Sequence, residues 1–185
     1  AVAMAIGDAL AAVWMQRQGV TPADFAVNHP AGSLGRQLTL SVADLMVPID
    51  ACPSLQADAA LADVVDHLTG TLAGAAWVQR PDQPKRLLGL ITDGDLRRAL
   101  RMHPPQDWAV IQASNLMTTD PITVAPDQLA VAALELMERN RRKAISVLPV
   151  EAINGELVGL LRLHDLVQAG LSRPAAKTAG MVQAA

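Results

Sequence analysis

At 185 residues and 51% hydrophobic content, the chain is long enough for one compact domain, or two small ones sharing a core, without covalent staples. A net charge of −3 with interspersed acids and bases, and 2% aromatic content, provide neither the positive field nor the stacking platforms on which nucleic-acid binding rests; ERNRRK (138–143) is only a local basic cluster. The single cysteine, Cys52, excludes an intrachain disulfide and reads as a buried thiol, while the lack of a long apolar run or a secretion signal gives the expectation of a soluble, cytosolic protein.

In chain order, AVAMAIGDALAAVWMQRQG (1–19) is apolar nearly all round, as expected of a helix buried inside a larger body. TPAD (21–24) follows as a helix start, with Thr21 as N-cap and Pro22 at the first helical position. These helices have no sheet of their own to cover, so they read as the end of a domain whose beginning is absent. In the next stretch ALADVVDHLTG (60–70) is a helix with Gly70 as C-cap, and AAWVQ (75–79) and RLLGLIT (86–92) are strands joined by a loose PDQPK turn. Further on, ITV (122–124) is a short strand, Asp127 an N-cap and LAVAALELMERN (129–140) a helix. AISVLPV (144–150) and ELVGLLR (156–162) are strands around a tight Asn154–Gly155 turn, and LHDLVQAG is a closing helix ended by Gly170.

The two stretches are copies. VADLM (42–46) recurs as ASNLM (113–117), and LGLITDGDL (88–96) recurs as VGLLRLHDL (158–166), with the blocks in the same order and 70 or 71 residues apart. Each copy is a β-α-β-β-α unit with one apolar sheet face exposed, so two must associate to bury it. The fold class is α/β (α+β), with the chain divided into 1–40 (truncated preceding domain), 41–105 and 106–171 (the repeats) and 172–185 (a frayed tail).

TDGD (92–95) stands where a strand gives way to a helix. It lacks the further oxygen ligands of a calcium loop, and Asp93 and Asp95 do not share a helix face as an acid pair would. Two readings of Thr92 and Asp95 remain. They are an ordinary N-cap with its acid at the third helical position, or they serve a nucleotide: Thr92 and the helix N-terminus receive phosphate while the Asp95 carboxylate accepts from ribose hydroxyls. In the second copy Arg162 stands in the Thr position and Asp165 in the Asp position, so the two clefts should differ in affinity or ligand, Arg162 suiting a phosphate or a carboxylate. His164 reads as a surface residue, as do His67 and His103, which have no partner at metal spacing; Met46 and Met117 read as core.

The duplicated unit with its Asp-started helix resembles a CBS-domain pair, a tandem module that binds nucleotides in many regulated proteins. GDALA (7–11) and TPADFAVNHPAGSLGRQL (21–38) resemble the end of the sugar isomerase domain of the D-arabinose 5-phosphate isomerase family, a segment that in that family leads into a CBS pair. The resemblance covers about residues 1–171. It implies a parent enzyme that interconverts D-ribulose 5-phosphate and D-arabinose 5-phosphate for the lipopolysaccharide sugar Kdo. His29 matches a catalytic position, where an imidazole could shuttle a proton between sugar carbons. Without the family's N-terminal sheet and phosphate loop, His29 should be idle and this stretch inactive. The resemblance further implies that basic side chains from Arg141, Arg142 and Lys143 reach ligand phosphates; a solvated helix end is the alternative. It implies no metal or cofactor, a regulatory adenine nucleotide or CMP-Kdo as ligand, and a homodimer through the CBS pairs, within a homotetramer in the parent enzyme. The competing reading is an oligomerisation scaffold with both clefts empty.

Overall fold

The computed structural model describes residues 2–19, 36, 38–52, 54–70, 73–139 and 145–171. The first helix, α1 (Val2–Arg17), forms as its composition dictates. Its apolar side chains, including Met4, Leu10 and Trp14, are exposed rather than buried within this chain. The TPAD start and the tail after Leu171 lie outside the described residues.

The first repeat then runs α2 (Val42–Leu45), β1 (Val47–Pro48), a 3-10 turn (Ile49–Ala51), β2 (Ser54–Leu55), α3 (Leu61–Gly70), β3 (Ala75–Arg80), β4 (Gln83–Thr92) and α4 (Asp93–Met102). A second 3-10 turn (Pro105–Val110) leads into α5 (Ala113–Leu116), β5 (Thr118–Thr119), α6 (Ala130–Glu138), β6 (Val147–Glu151), β7 (Leu157–Arg162) and α7 (Leu163–Gln168). The β-α-β-β-α order recurs as the sequence repeat requires.

Local details depart from the sequence reading where backbone geometry overrides composition. The PDQPK turn contracts to Pro81–Asp82, because β4 begins at Gln83 and a bulge near Val78–Arg80, with Lys85 at φ +64°, absorbs the extra residues. Gly70 is the last residue of α3 rather than a left-handed cap; the left-handed glycine on that side is Gly74, at φ +60°. Asp127 does not cap α6, whose N-cap is Leu129. The ITV strand reduces to a single bridge between Val124 and Val150. By contrast, Gly155 (φ +76°) makes the expected tight turn, Asn154 Oδ1 accepting from the Glu156 N–H at 3.0 Å.

Two sheets result, and each borrows a strand from the other repeat. β2, β3, β4 and β5 form one sheet, in which β5 of the second repeat pairs antiparallel with β4 of the first. β1, β7 and β6 form the other, with β1 of the first repeat pairing antiparallel with β7 of the second. The exchange is pseudo-symmetric to the residue: Val47 and Pro48 face Leu160 and Gly159, while Thr118 and Thr119 face Leu90 and Gly89.

The central residues of β3, β4, β6 and β7 are buried on both faces, so VLPV (147–150) reads as a continuous apolar run. One face of the first sheet packs on α3, α4 and the incoming Ile111, Ala113 and Leu116. One face of the second packs on α6, α7 and the incoming Val42. Between the sheets a shared core joins Ile49, Cys52, Trp77 and Leu90 to Val147, Leu157 and Leu160. Met46 and Met117 pack at the margins of these cores, each against the repeat that did not supply it, in line with a core role.

Candidate nucleotide cleft

The exchange places the start of α4 at a seam. Thr92 ends β4 and is the N-cap of α4, and the cleft that opens beside it has a volume of about 820 Å³. The first repeat lines it with Gly74, Leu90, Thr92–Asp95, Arg97 and Arg98. The second lines it with Thr118, Asp120, Pro121 and Ile122 from its leading segment, then Leu136, Arg139, Ile145, Ser146 and Val147. The lining combines apolar side chains, Ile122, Leu136 and Ile145, with Thr92, Asp95 and the side chains of Arg97, Arg98 and Arg139. Such a cavity, apolar with a few convergent polar groups, has the character of a small-molecule site.

Among the described residues Asp95 is the one charged residue in the buried set, at 7% exposure. Its Oδ2 accepts from the Thr92 N–H at 3.0 Å and from the Thr92 hydroxyl at 2.7 Å, and its Oδ1 accepts from Arg98 Nη1 at 2.9 Å. The first turn of a helix leaves backbone N–H groups without intrahelical partners, and this carboxylate satisfies one just outside it. Thr92 and Asp95 are therefore brought together as a capping pair that opens onto the cleft. Asp93, by contrast, is exposed.

The second copy is built differently. Arg162 donates from Nε to Asp165 Oδ2 at 2.6 Å and from Nη2 to Oδ1, a bidentate pair that occupies both carboxylate oxygens. The hydrogen bond to Asp165 holds the Arg162 guanidinium above its ordinary pKa, against the opposing effect of burial. The adjoining depression, about 560 Å³, is lined by Arg162, Leu163, His164 and Val167 with Ala73 and Gly74, but not by Asp165. Close by, the Ile49–Ala51 turn carries Ile49 and Cys52 into the shared core, where the Cys52 carbonyl accepts from Trp77 Nε1 at 2.7 Å. Cys52 is 3% exposed, matching the buried thiol expected, and burial raises its pKa, partly offset by the charge of Arg162.

His29, Arg141, Arg142 and Lys143 lie outside the described residues. Sequence reasoning passed over Arg97, Arg98 and Arg139. The first two follow TDGD directly in the sequence, and Arg139 belongs to the ERNRRK cluster. The cleft walls at Asp120–Ile122 and Ile145–Val147 were not legible as site residues, because they face Thr92 only once the second repeat packs against the first.

The family model described as CBS domain matches residues 113–172. A CBS-domain protein from Pyrobaculum aerophilum, solved with AMP, is similar over 69% of this chain and 90% of its own, with 28% identity and a TM-score of 0.59. The chain has the fold of a CBS-domain pair. The fold is likewise shared with CBSX2 from Arabidopsis thaliana in complex with AMP, with a TM-score of 0.57, 22% identity and coverage of 70% of this chain and 95% of that one. Among curated relatives, the arabinose 5-phosphate isomerase KdsD of Yersinia pestis is 37% identical over 168 residues, 91% of this chain and 49% of the relative. The chain thus spans about half the length of the curated relatives it matches.

Proposed function

We propose that this CBS pair is the regulatory part of an arabinose 5-phosphate isomerase and that it senses a nucleotide in the cleft beside Thr92. The observation that carries this is the Thr92–Asp95 pair, which sits at the N-terminus of a ten-residue helix and opens onto a cleft shared by both repeats. Positive dipole and backbone N–H groups favour a phosphate there. The capping pair and the ligand contact are two states of the same residues. When the Thr92 hydroxyl turns from Asp95 to a phosphate, Oδ2 regains acceptor capacity for a ribose hydroxyl, while Arg98 continues to hold Oδ1. The AMP complexes of related CBS proteins support a nucleotide in such a cleft. Adenine nucleotides and CMP-Kdo both offer a ribose and a phosphate.

Regulation follows if the ligand binds one arrangement of the repeats better than another, since walls from both repeats enclose it. The catalytic step belongs to the isomerase domain, and the CBS pairs hold the enzyme as a homodimer or larger assembly in the cytoplasm. Calorimetry with AMP, ATP, CMP and CMP-Kdo tests the reading. At least one should bind, and Asp95→Ala should abolish the heat while the size-exclusion profile stays unchanged. If the unmodified chain binds none of the four, the scaffold role takes its place.

A further inference from the structure

Met46 and Met117 hold equivalent places in the two repeats. Each caps the C-terminus of a four-residue helix and leads into a two-residue strand that pairs with the sheet of the other repeat. Each also lays its side chain into the space that a glycine leaves open on the receiving strand. A Cβ on Gly89 would meet Met117 Sδ at 2.7 Å and Cγ at 2.8 Å, and one on Gly159 would meet Met46 Sδ at 2.6 Å and Cγ at 3.0 Å. Gly89 stands opposite Val78 on one side and Thr119 on the other, and Gly159 opposite Val150 and Pro48, so a push at either glycine falls on strand pairing. Both methionines border apolar cores, Met46 that of the second repeat and Met117 that of the first. Both are half-buried, whereas Met137 is fully buried and Met4 and Met102 are exposed, at 73% and 72%.

We propose that Met46 and Met117 make the exchange between the repeats a redox-sensitive contact, which peroxide loosens by oxidising the two sulfurs. A sulfur lone pair attacks one peroxide oxygen, an S–O bond forms as the O–O bond breaks, and the other oxygen leaves as water; the thioether loses two electrons and the peroxide gains them. The sulfoxide is larger than the thioether and adds a strong hydrogen-bond acceptor at a seam of glycine and apolar side chains, where an acceptor without a partner is costly. Thr118 follows Met117 directly and pairs with Leu90, and both line the cleft, so displacing Met117 moves β5 and with it one wall of the cleft. At Met46 the same change acts on β1 and its pairing with β7. The effect on ligand binding rests on the nucleotide reading above; the loosening of the exchange does not.

Urea unfolding of the full chain before and after hydrogen peroxide treatment, with peptide mass spectrometry to follow each methionine, tests this. Met4 and Met102 should oxidise first and leave the unfolding midpoint where it was. As Met46 and Met117 convert in the folded chain, the midpoint should fall, and calorimetric binding of AMP, ATP, CMP or CMP-Kdo should weaken in step. Methionine sulfoxide reductases A and B together should restore both. Met46→Leu with Met117→Leu conserves volume and removes the sulfurs, so this variant should hold its own midpoint through the same treatment; if it does not fold, restoration by the reductases carries the test. The proposal is overturned if Met46 and Met117 convert with the midpoint unchanged, if they convert only once the chain has unfolded, or if the leucine variant loses as much as the native chain. If the untreated chain binds none of the four ligands, the nucleotide reading falls and the midpoint alone decides the redox contact.

Discussion

At Gly159 and Gly89 one repeat approaches the other too closely to admit a side chain without a shift. A Cβ built on Gly89 would lie 2.7 Å from Met117 Sδ, and one on Gly159 would lie 2.6 Å from Met46 Sδ and 2.8 Å from the Val47 carbonyl oxygen. A methionine tip can swing aside, but the backbone of β1 can yield only by disturbing its pairing with β7. Gly159→Ala should therefore cost more stability than Gly89→Ala, with overpacking of about 1–3 kcal/mol expected at such sites. Urea unfolding of the two variants checks the order, and Met117→Ala should rescue Gly89→Ala. Cys52 offers a second test at this scale. Its thiol pKa is raised from the ordinary 9.0 by burial, so the reactive thiolate is suppressed in the folded state. Iodoacetamide should label Cys52 only as fast as the protein unfolds. Because the folded-state value is the higher one, this group's contribution is fully present below the ordinary thiol range and is lost as the pH rises toward the raised value.

At the scale of the element, α2 is a four-residue helix that hydrogen bonding within its own backbone could not sustain, and a capping box closes its first turn. Asp44 Oδ2 accepts from the Ser41 hydroxyl at 2.6 Å and the Ser41 N–H at 2.8 Å, and these bonds hold the Asp44 carboxyl below its ordinary pKa of 3.8. The stabilisation is present above that ordinary value and is lost as the pH falls through the lowered one. Ser41→Ala should raise the Asp44 pKa toward the ordinary value in an NMR titration and destabilise the fold by about 1 kcal/mol. Elements of this kind divide into those that were legible in the sequence and those that were not. The Asn154–Gly155 turn, the strands flanking it and the Thr92 start of α4 carry their own local chemistry, and their positions follow from it. The two-residue strands Val47–Pro48 and Thr118–Thr119 have no local signature: the first exists only through β7, more than a hundred residues on, and the second only through β4 of the other repeat. Asp127 shows the converse: its composition suited a cap, but the bridge between Ser41 and Leu129 fixes the helix start two residues later.

For the whole molecule, the repeat was legible but the exchange between its copies was not, because self-similarity reveals matching units without revealing which unit each strand joins. The matched VADLM/ASNLM and LGL/VGL blocks are the two sides of one contact, Met46 on Gly159 and Met117 on Gly89. The candidate site depends on the same exchange: Thr92 and Asp95 belong to one repeat, while Asp120–Ile122 reach the cleft because β5 is donated to the sheet of the other. Folding must then be collective. A chain of residues 41–105 alone would expose the face that Ile111, Ala113 and Leu116 cover, would lose β5 from the edge of β4, and would leave β1 without β7. It would also open the shared core around Trp77, which Val147, Leu157 and Leu160 complete. Exposed apolar surface on that scale outweighs the marginal stability of a unit this small. The full chain should unfold in one transition by circular dichroism and by tryptophan fluorescence, whereas residues 41–105 should show no cooperative transition until residues 106–171 are added. A sharp transition from the isolated first repeat would mean that its sheet closes on itself and that the exchange contributes little to the stability of the pair.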